Sequence, residues 1–166
     1  MLFRPATPED ISTILCLIEA AVRRLKEQGV NQWQDGYPNR GRIEQDVAEG
    51  IGYVIEGADR VVAYGAVILT GEEAYRAIDG GWLTEEADYV VVHRMCVAEE
   101  VVGQGFGRRF MEAVEQLSRG RVRSFRVDTH ADNRVMQSLL PRLGFTRCGT
   151  IRIDGRPFEA FEKIIE

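Results

Sequence analysis

The stretch VVGQGFGRRF, residues 101–110, contains three alternating glycines followed by two arginines. It comes after YVVVHRMCV at 89–97, a run typical of a strand, and it opens a segment with helical apolar spacing. Glycine at a helix start costs about 0.5–1 kcal/mol relative to alanine. The spacing of Gly103, Gly105 and Gly107 therefore indicates either torsions that only glycine tolerates or a ligand that touches the main chain. Because the first helical turn presents unsatisfied N–H groups, we predict an anion site; a turn that only permits close helix–sheet packing is the alternative.

Two nucleotide-binding motifs match this stretch only in part. A P-loop requires Gly-Lys followed by Ser or Thr, whereas residues 107–109 are Gly-Arg-Arg. A dinucleotide-binding fingerprint follows the first strand of its unit and has an acidic residue about 20 positions later. Asp128 lies near that distance, but four predicted strands precede the glycines, which is the wrong order for a nucleotide-binding half. A nucleotide-phosphate binder stays open as a weaker alternative.

The elements on either side of the glycines predict a mixed α/β (α+β) fold in the order β-α-α-β-β-β-α-β-α-β-β. The residues GADR at 57–60 join two β-rich runs as a hairpin, and Asp154 and Gly155 join the last two strands. Residues 71–88 are predicted to be irregular, and Asp132 is predicted to cap the last helix. The sheet is expected to be largely antiparallel, with about six to seven strands flanked by about four helices.

Composition argues against several classes of function. The 166 residues are predicted to form one domain, 1–166. A net charge of −5 argues against a nucleic-acid partner, which needs a basic face. No apolar run approaches the roughly 20 residues that cross a bilayer, and the N-terminus lacks a signal peptide's apolar core. We therefore expect a cytoplasmic protein with no membrane partner. Cys16, Cys96 and Cys148 lie far apart, without zinc spacing, and each is flanked by apolar residues, which predicts buried thiols and no metal site.

The glycine stretch resembles the acyl-CoA signature of the GNAT family of N-acetyltransferases, Arg/Gln-x-x-Gly-x-Gly/Ala after a strand. In this chain the signature falls on 102–107. A second family feature, Asn followed by Leu-Tyr and then Gly-Phe, resembles NRVMQSLLPRLGF at 133–145. The stretches WQDGYPNR (33–40), VVVHRMCV (90–97) and THADN (129–133) are similar to a bacterial subgroup of small acetyltransferases. The order of elements resembles the family over essentially the whole chain.

The resemblance implies a GNAT-type fold and an enzyme that transfers acetyl from acetyl-CoA to a primary amine by direct attack in a ternary complex. It implies that the amides of 103–108 bind the CoA pyrophosphate. It also implies that the strand edge at 95–97 pairs with the pantetheine and polarises the thioester. No metal and no covalent enzyme intermediate are expected; the partner is a small-molecule or peptide amine, and a homodimer is left open. The implied cofactor-binding residues are Met95, Cys96, Val97, Val102, Gly103, Gln104, Gly105, Phe106, Gly107, Arg108 and Asn133.

Two positions depart from the family pattern. Val102 stands where the family prefers Arg or Gln, so one phosphate contact is lost unless Arg108 or Arg109 replaces it. Leu140 stands where many members carry a tyrosine thought to protonate the departing CoA thiolate. A thiol with a pKa of roughly 8.5 can leave as a thiolate and take its proton from water; otherwise another acid must reach it. The missing tyrosine favours the alternative function, a non-catalytic acyl-CoA-binding or regulatory module of the same fold.

Two histidines are candidates for the proton acceptor that attack by an amine requires. His93 shares a strand face with Met95 and Val97 if no bulge intervenes. Arylalkylamine acetyltransferases resemble this chain in having a strand histidine at this offset, and a packed core histidine is the alternative. His130 is the weaker candidate, because a contact within the turn 131–133 also explains it. A water chain to an acidic residue is the remaining route.

The predicted acceptor end has an excess of acidic residues between 71 and 88. They form either an ordinary solvated face or a rim that attracts a cationic amine. Trp33, Tyr37 and Trp82 are weak candidates for the walls of that pocket, and anchoring of loops is the alternative. The acidic residues are Glu72, Glu73, Asp79, Glu85, Glu86 and Asp88, against Arg76 alone.

Overall fold

The computed structural model describes residues 1–85 and 88–165. The predicted order of elements is confirmed, with one additional strand. The helices are α1 (Ile11–Glu27), α2 (Arg40–Ala48), α3 (Phe106–Ser118) and α4 (Arg134–Arg142). The strands are β1 (Leu2–Pro5), β2 (Gly52–Glu56), β3 (Val61–Ile68), β4 (Ile78–Gly80), β5 (Tyr89–Val97), β6 (Ser124–His130), β7 (Thr146–Ile153) and β8 (Arg156–Ile164).

One compact unit comprises Met1–Val67 and Val92–Val114. Its strands follow the order β1-β2-β3-β5. β2 pairs antiparallel with β3, with Gly52 opposite Ala66, which confirms the predicted hairpin. β1 pairs antiparallel with β2 on the other side. This unit contains α1, α2, the glycine turn and the start of α3.

A strand glycine lets α3 lie against β3 in this unit. A Cβ on Gly65 would lie only 2.7 Å from the ring of Phe110, which is itself fully buried. The rings of Phe3 and Phe110 also pack edge to face, with ring centroids 5.4 Å apart. The segment that follows the glycine turn is therefore fixed by aromatic packing on the sheet.

The second unit comprises Ile68–Val91 and Glu115–Glu166. Its strands follow the order β5-β6-β8-β7-β4. β5 and β6 are parallel, with Tyr89 opposite Ser124, and the other neighbours are antiparallel. The predicted pairing of the last two strands is confirmed, because β7 and β8 form an antiparallel ladder. A core cluster around the buried Tyr75 supports this unit.

β4 corrects the prediction for residues 71–88, which we expected to be irregular. It brings the strands of the described residues to eight, against the predicted count of about six to seven. Three residues are too few to show strand alternation. β4 pairs with β7, with Gly80 opposite Gly149, and a Cβ on either glycine would clash with the backbone of the opposite strand. The pair depends on this close backbone approach, which a hydrophobicity pattern does not reveal.

The remaining predictions concern membrane-spanning helices, the three thiols and the number of domains. No helix within residues 1–85 and 88–165 is long and apolar enough to cross a membrane. All three thiols are free; Cys96 is buried, Cys148 is half-buried and Cys16 is exposed on α1. The expectation of buried thiols is therefore wrong for Cys16, which lies on the outer face of its helix. A single domain over 1–166 stays a prediction.

Candidate active site

The glycine turn lies between β5 and α3, and its glycines have two different roles. Gly103 and Gly105 have φ of +80° and +82°, the left-handed region that glycine adopts without strain. A Cβ on either would meet no heavy atom within 4 Å, so the space beside the turn is open. Gly107 belongs to α3, and a Cβ there would lie 3.8 Å from the Met95 side chain. Two glycines therefore shape the turn, and the third faces β5.

The turn presents main-chain donors at the start of α3. The first hydrogen bond of the helix runs from the Arg109 N–H to the Gly105 carbonyl, 3.0 Å. The N–H groups of Phe106, Gly107 and Arg108 precede it, so the helix offers them no carbonyl. Open space beside first-turn amides fits a phosphate or pyrophosphate group, which gains from both the donors and the helix dipole. The residues of this turn thus fit the pyrophosphate of CoA.

The side chains of the turn add less than its backbone. Val102 is 46% exposed and offers no hydrogen bond to a phosphate. The Gln104 amide donates to the Glu100 carbonyl at 2.8 Å. Arg108 is half-exposed and lies 3.8 Å from Glu112, a separation that leaves its guanidinium available for an anion. Arg109 is also exposed, and its guanidinium carbon lies 5.1 Å from the centroid of the Phe106 ring. Any charge from a side chain at this turn is therefore expected from Arg108 or Arg109.

β5 is continuous from Tyr89 to Val97 but has an unusual backbone torsion in its middle. Arg94 has φ of +57°, which costs on the order of 1–2 kcal/mol for a residue with a side chain. Burial nevertheless alternates across Arg94, which is buried like Cys96, in agreement with the prediction that His93 shares a face with Met95 and Val97. His93, Met95 and Val97 are each half-buried, whereas Cys96 between them is buried. The role of His93 stays a prediction.

Cys96 is unsuited to nucleophilic chemistry. Burial raises the pKa of its thiol to about 12, although the charge of Arg24 acts in the opposite direction. At neutral pH the thiol is protonated, and a thiol reacts poorly as a nucleophile. The predicted role of Cys96 in cofactor binding therefore involves only its backbone.

Arg94 is held by a buried carboxylate from α2. Its Nε and Nη2 donate to the two oxygens of Asp46 at 2.8 and 2.9 Å, and Asp46 is fully buried. Asp46 also accepts from the Tyr64 hydroxyl at 2.5 Å and from Arg42 Nη2 at 2.6 Å. Burial and the neighbouring Asp46 charge raise the pKa of Tyr64, so it remains a donor. The carboxylate is thus fully supplied with donors, as a buried charge requires.

The third contact of Arg94 reaches the loop between α1 and α2. Arg94 Nη1 donates to the Tyr37 hydroxyl at 2.7 Å, and Tyr37 is 41% exposed. Trp33 in the same loop is half-buried and has φ of +63°. Two of the predicted acceptor residues therefore lie in a loop that is hydrogen-bonded to β5.

His130 and Asn133 lie in the second unit at the end of β6. His130 is 8% exposed, and its Nδ1 accepts from the Asp132 N–H at 3.3 Å. The Asp132 carboxylate is 3.5 Å from the same nitrogen. The Asn133 side chain accepts from the Met136 N–H at 3.1 Å and so caps α4. The prediction of Asp132 as the cap is wrong: Asn133 occupies the position from which a short side chain reaches the first-turn amide.

Leu140 is fully buried in the second unit. It lies in the last turn of α4, and its carbonyl accepts from the Phe145 N–H at 3.1 Å. The residue at the family's tyrosine position is thus a packed core residue with no proton to donate.

An acid-lined cavity of about 500 Å³ lies in the second unit. It contains three of the predicted acidic residues together with Arg76, whereas Glu86 lies outside the described residues. Three carboxylates against one guanidinium give the lining an excess of negative charge. The lining residues are Leu69, Thr70, Gly71, Glu72, Glu73, Arg76, Asp88 and Tyr89.

Trp82, the remaining acceptor candidate, is anchored internally. Its Nε1 donates to the Tyr75 carbonyl at 2.9 Å, and its ring lies 5.2 Å from the Tyr75 ring. The guanidinium carbon of Arg126 lies 4.3 Å from its ring centroid. These contacts favour loop anchoring over a substrate wall.

The sequence analysis missed Asp46, Tyr64 and Arg94. One signal was present: an arginine within the apolar run YVVVHRMCV must be paired if the strand is buried. The partner carboxylate, 48 residues earlier on α2, left no comparable signal. No group of three or more His, Cys, Asp or Glu side chains that could hold a metal ion occurs among the residues described.

Comparison with known proteins indicates the same family as the glycine turn does. The acetyltransferase (GNAT) family model matches residues 18–145. A Bacillus subtilis (strain 168) protein named uncharacterized N-acetyltransferase YesJ is 28% identical, over 97% of this chain and 88% of that protein. A GNAT-family acetyltransferase from Streptococcus agalactiae 2603 is 35% identical, with a TM-score of 0.92 over 99% of this chain and 95% of that one. One from Listeria monocytogenes 4b F2365, 24% identical, shares the fold with a TM-score of 0.76 over 98% and 94%.

Proposed function

We propose that this chain, which belongs to the GNAT family of acetyltransferases, transfers an acetyl group from acetyl-CoA to a primary amine within a ternary complex. The family makes the chain an N-acetyltransferase. One observation carries the choice of acetyl-CoA, namely the turn at 103–108. There, two glycines at positive φ leave open space beside the first-turn amides of α3. Such a turn suits a pyrophosphate because its donors and dipole are fixed before the ligand arrives.

In this proposal the backbone of the chain binds and orients. Bound acetyl-CoA supplies an activated thioester. The amides of 103–108 hold the pyrophosphate, and the β5 backbone at 95–97 pairs with the pantetheine. A backbone N–H of the same segment donates to the thioester carbonyl, where negative charge develops during attack. Because Val102 offers no polar contact, phosphate binding rests on main-chain donors together with Arg108 or Arg109.

His93 is the proposed proton acceptor, because only a neutral amine attacks the thioester. It lies on β5 two residues before Met95, where the segment assigned to the thioester begins. His130 is the second candidate; its Nδ1 accepts from the Asp132 N–H, so the neutral ring carries its proton on Nε2 and its basic nitrogen is already engaged. Leu140 donates no proton, so water protonates the leaving thiolate, whose pKa of roughly 8.5 makes it a tolerable leaving group.

A cationic amine is the proposed acceptor. The observation in favour is the cavity lined by Glu72, Glu73 and Asp88, with Arg76 as its one described counter-charge. An excess of carboxylates in a concave surface raises the local concentration of cations. The proposed acceptor is a small molecule or peptide that carries a protonated amino group.

Calorimetric titration with acetyl-CoA, ATP and NAD tests the cofactor. We expect acetyl-CoA to bind and the two nucleotides to bind at least about tenfold more weakly, about 1.4 kcal/mol. Tighter binding of ATP or NAD would assign the turn to a nucleotide-phosphate binder.

Substitution of the two histidines tests the proton acceptor. His93→Ala should lower kcat by about 10²-fold and leave the Kd for acetyl-CoA unchanged, because the base acts only on the amine. His130→Ala is the matched comparison, with a smaller expected loss. Wild-type turnover in His93→Ala would remove His93 from the mechanism.

A further inference from the structure

The conformation of Arg94 needs an explanation that its burial alone does not give. Arg4, in the same unit, makes an equally complete set of ion pairs, with Asp10 at 2.7 and 3.0 Å and Glu56 at 2.8 Å. Arg4 does so without a positive φ, whereas Arg94 has φ of +57° in the middle of β5. An ion pair therefore does not by itself require the left-handed conformation. Strained conformations of this kind persist where the surroundings over-determine them, and they concentrate at functional sites.

Hydrogen bonds to two residues hold the Arg94 side chain in place. Asp46 of α2 accepts from its Nε and Nη2, and Tyr37 of the preceding loop accepts from its Nη1. Asp46 is itself fixed by Arg42 and Tyr64. Nε, Nη1 and Nη2 of Arg94 each donate to one of these two partners, so the side chain has little freedom to rotate.

We call the hydrogen bonds of Asp46 and Tyr37 to Arg94 the clamp. The clamp matters because Met95 is the next residue along β5. Met95 begins the segment 95–97 whose backbone, in the proposed function, pairs with the pantetheine and donates to the thioester carbonyl. A change in φ at Arg94 redirects the peptide between Arg94 and Met95, and therefore the Met95 N–H. The torsion that the clamp fixes is the torsion that aims this donor.

We propose that Arg94 is a positioning residue: clamped by Asp46 and Tyr37, it holds the Met95 N–H in the direction that polarises the thioester carbonyl. The inference rests on the proposed function. It assigns a purpose to the stretches WQDGYPNR and VVVHRMCV together, since Tyr37 of the first and Arg94 of the second are hydrogen-bonded. The donor's effect depends on preorganisation, so a loosened clamp weakens polarisation more than binding.

The test measures the carbonyl carbon NMR shift of isotopically labelled acetyl-CoA bound to the full chain, and its Kd by calorimetry. In the wild-type protein we expect a bound shift displaced downfield from that of free acetyl-CoA. Arg94→Lys keeps the charge but loses the fork. It should abolish about half or more of that displacement while the Kd changes by about threefold or less. Neither readout requires a known acceptor.

Arg4→Lys is the matched control, because it loosens an equally bonded arginine of the same unit and should keep the wild-type shift. Tyr37→Phe removes one hydroxyl from a half-exposed side chain and should lose a smaller part of the displacement, again at unchanged Kd. If Arg94→Lys does not fold, the carbonyl shift of acetyl-CoA bound to Tyr37→Phe tests the inference instead. A folded Arg94→Lys, or failing that Tyr37→Phe, with the wild-type shift overturns the inference, as does an equal loss in Arg4→Lys.

The failure of the proposed function looks different. A wild-type protein that does not bind acetyl-CoA contradicts that function, and the inference falls with it. A wild-type protein that binds acetyl-CoA without any displacement of the carbonyl shift leaves cofactor binding intact and overturns the inference alone.

Discussion

Each unit of the chain buries one arginine against one carboxylate, and the two pairs look alike at first. In one unit the Arg94 side chain is 7% exposed and its partner Asp46 is fully buried. In the other the Arg126 side chain is 7% exposed and its partner Glu162 is fully buried. Both pairs are charge-assisted and both carboxylates accept several further hydrogen bonds. The difference lies in the backbone and in what the arginine touches next.

Both arginines also contact a loop of their own unit, but Arg126 lies against aromatic rings, whereas Arg94 donates to a tyrosine hydroxyl. The guanidinium carbon of Arg126 lies 4.3 Å from the ring centroid of Trp82 and 4.1 Å from that of Tyr89. Arg94 has φ of +57° and donates to the exposed Tyr37. An ion pair that completes a core needs no backbone strain. Strain beside such a pair indicates that the position of the strand itself is being set.

The largest expected effect treats the two pairs as equals. Asp46→Ala and Glu162→Ala should each lower the free energy of unfolding by about 3–5 kcal/mol, because each leaves a buried guanidinium without its counter-charge. Urea denaturation followed by circular dichroism measures both. A loss below about 1 kcal/mol for either variant would show that solvent already screens that pair. The two ion pairs would then not be equivalent.

Part of the Glu162 contribution should depend on pH. Burial raises the pKa of this carboxyl, but hydrogen bonds from Ser124, Thr84 and Arg126 outweigh it, so the pKa lies below its ordinary value. A lowered folded-state pKa gives stability that is present above the unfolded pKa and lost as pH falls through the folded one. The stability gap between wild type and Glu162→Gln should therefore be constant from neutral pH down to about 5 and close below about 4.

Urea denaturation at a series of pH values measures that gap. Glu44→Gln, which alters a carboxylate whose side chain is 51% exposed, is the control and should follow the wild type. A gap that stays constant through the acidic range would mean that the pKa of Glu162 is the same in the folded and unfolded states.

Two glycines with the same backbone sharpen the comparison between the units. Gly105 has φ of +82° and Gly120 has φ of +73°, and a Cβ on either meets no heavy atom within 4 Å. Leucine at either position should cost similar stability. Only Gly105→Leu should weaken acetyl-CoA binding, by at least about tenfold or about 1.4 kcal/mol, because its side chain fills the space beside the turn. Equal Kd values in the two variants would remove the turn from cofactor binding.

The smallest expected effect concerns the acid-lined cavity of the second unit. Glu73→Gln with Asp88→Asn should weaken binding of diaminobutane only a few-fold and flatten its salt dependence. The reason is that the Debye length falls from about 10 Å at 0.1 M salt to about 3 Å at 1 M. Asp79→Asn with Glu85→Gln is the control, since these carboxylates belong to the same stretch but do not line the cavity. An unchanged salt slope in the cavity variant would reduce the acidic stretch to a solvated face.

Local sequence signals predicted most of the fold. The hairpin of β2 and β3, the ladder of β7 and β8 and the strand–turn–helix around Gly105 each follow from turn residues and periodicity. β4 did not, because three residues carry no period. The cap at Asn133 was placed one residue early, since Asp132 and Asn133 are equally good capping types.

The candidate site divides in the same way. The glycine turn was predictable because two of its glycines, Gly103 and Gly105, have a local backbone reason in their positive φ. The clamp on Arg94 was not, because its partners Tyr37 and Asp46 lie 57 and 48 residues away, and a positive φ at an arginine has no sequence signature. Nor does the sequence indicate that Trp82 is anchored on Tyr75 instead of facing a ligand.

The most direct test of the central claim is acetyl transfer itself. Wild-type protein is mixed with acetyl-CoA and a library of cationic primary amines; free CoA thiol is followed by colorimetry and the products by mass spectrometry. The account predicts equal amounts of released thiol and acetylated amine, with both lost in Gly105→Leu and retained in Gly120→Leu. Acetyl-CoA binding without thiol release for any amine would contradict it and identify the chain as a non-catalytic acyl-CoA-binding module.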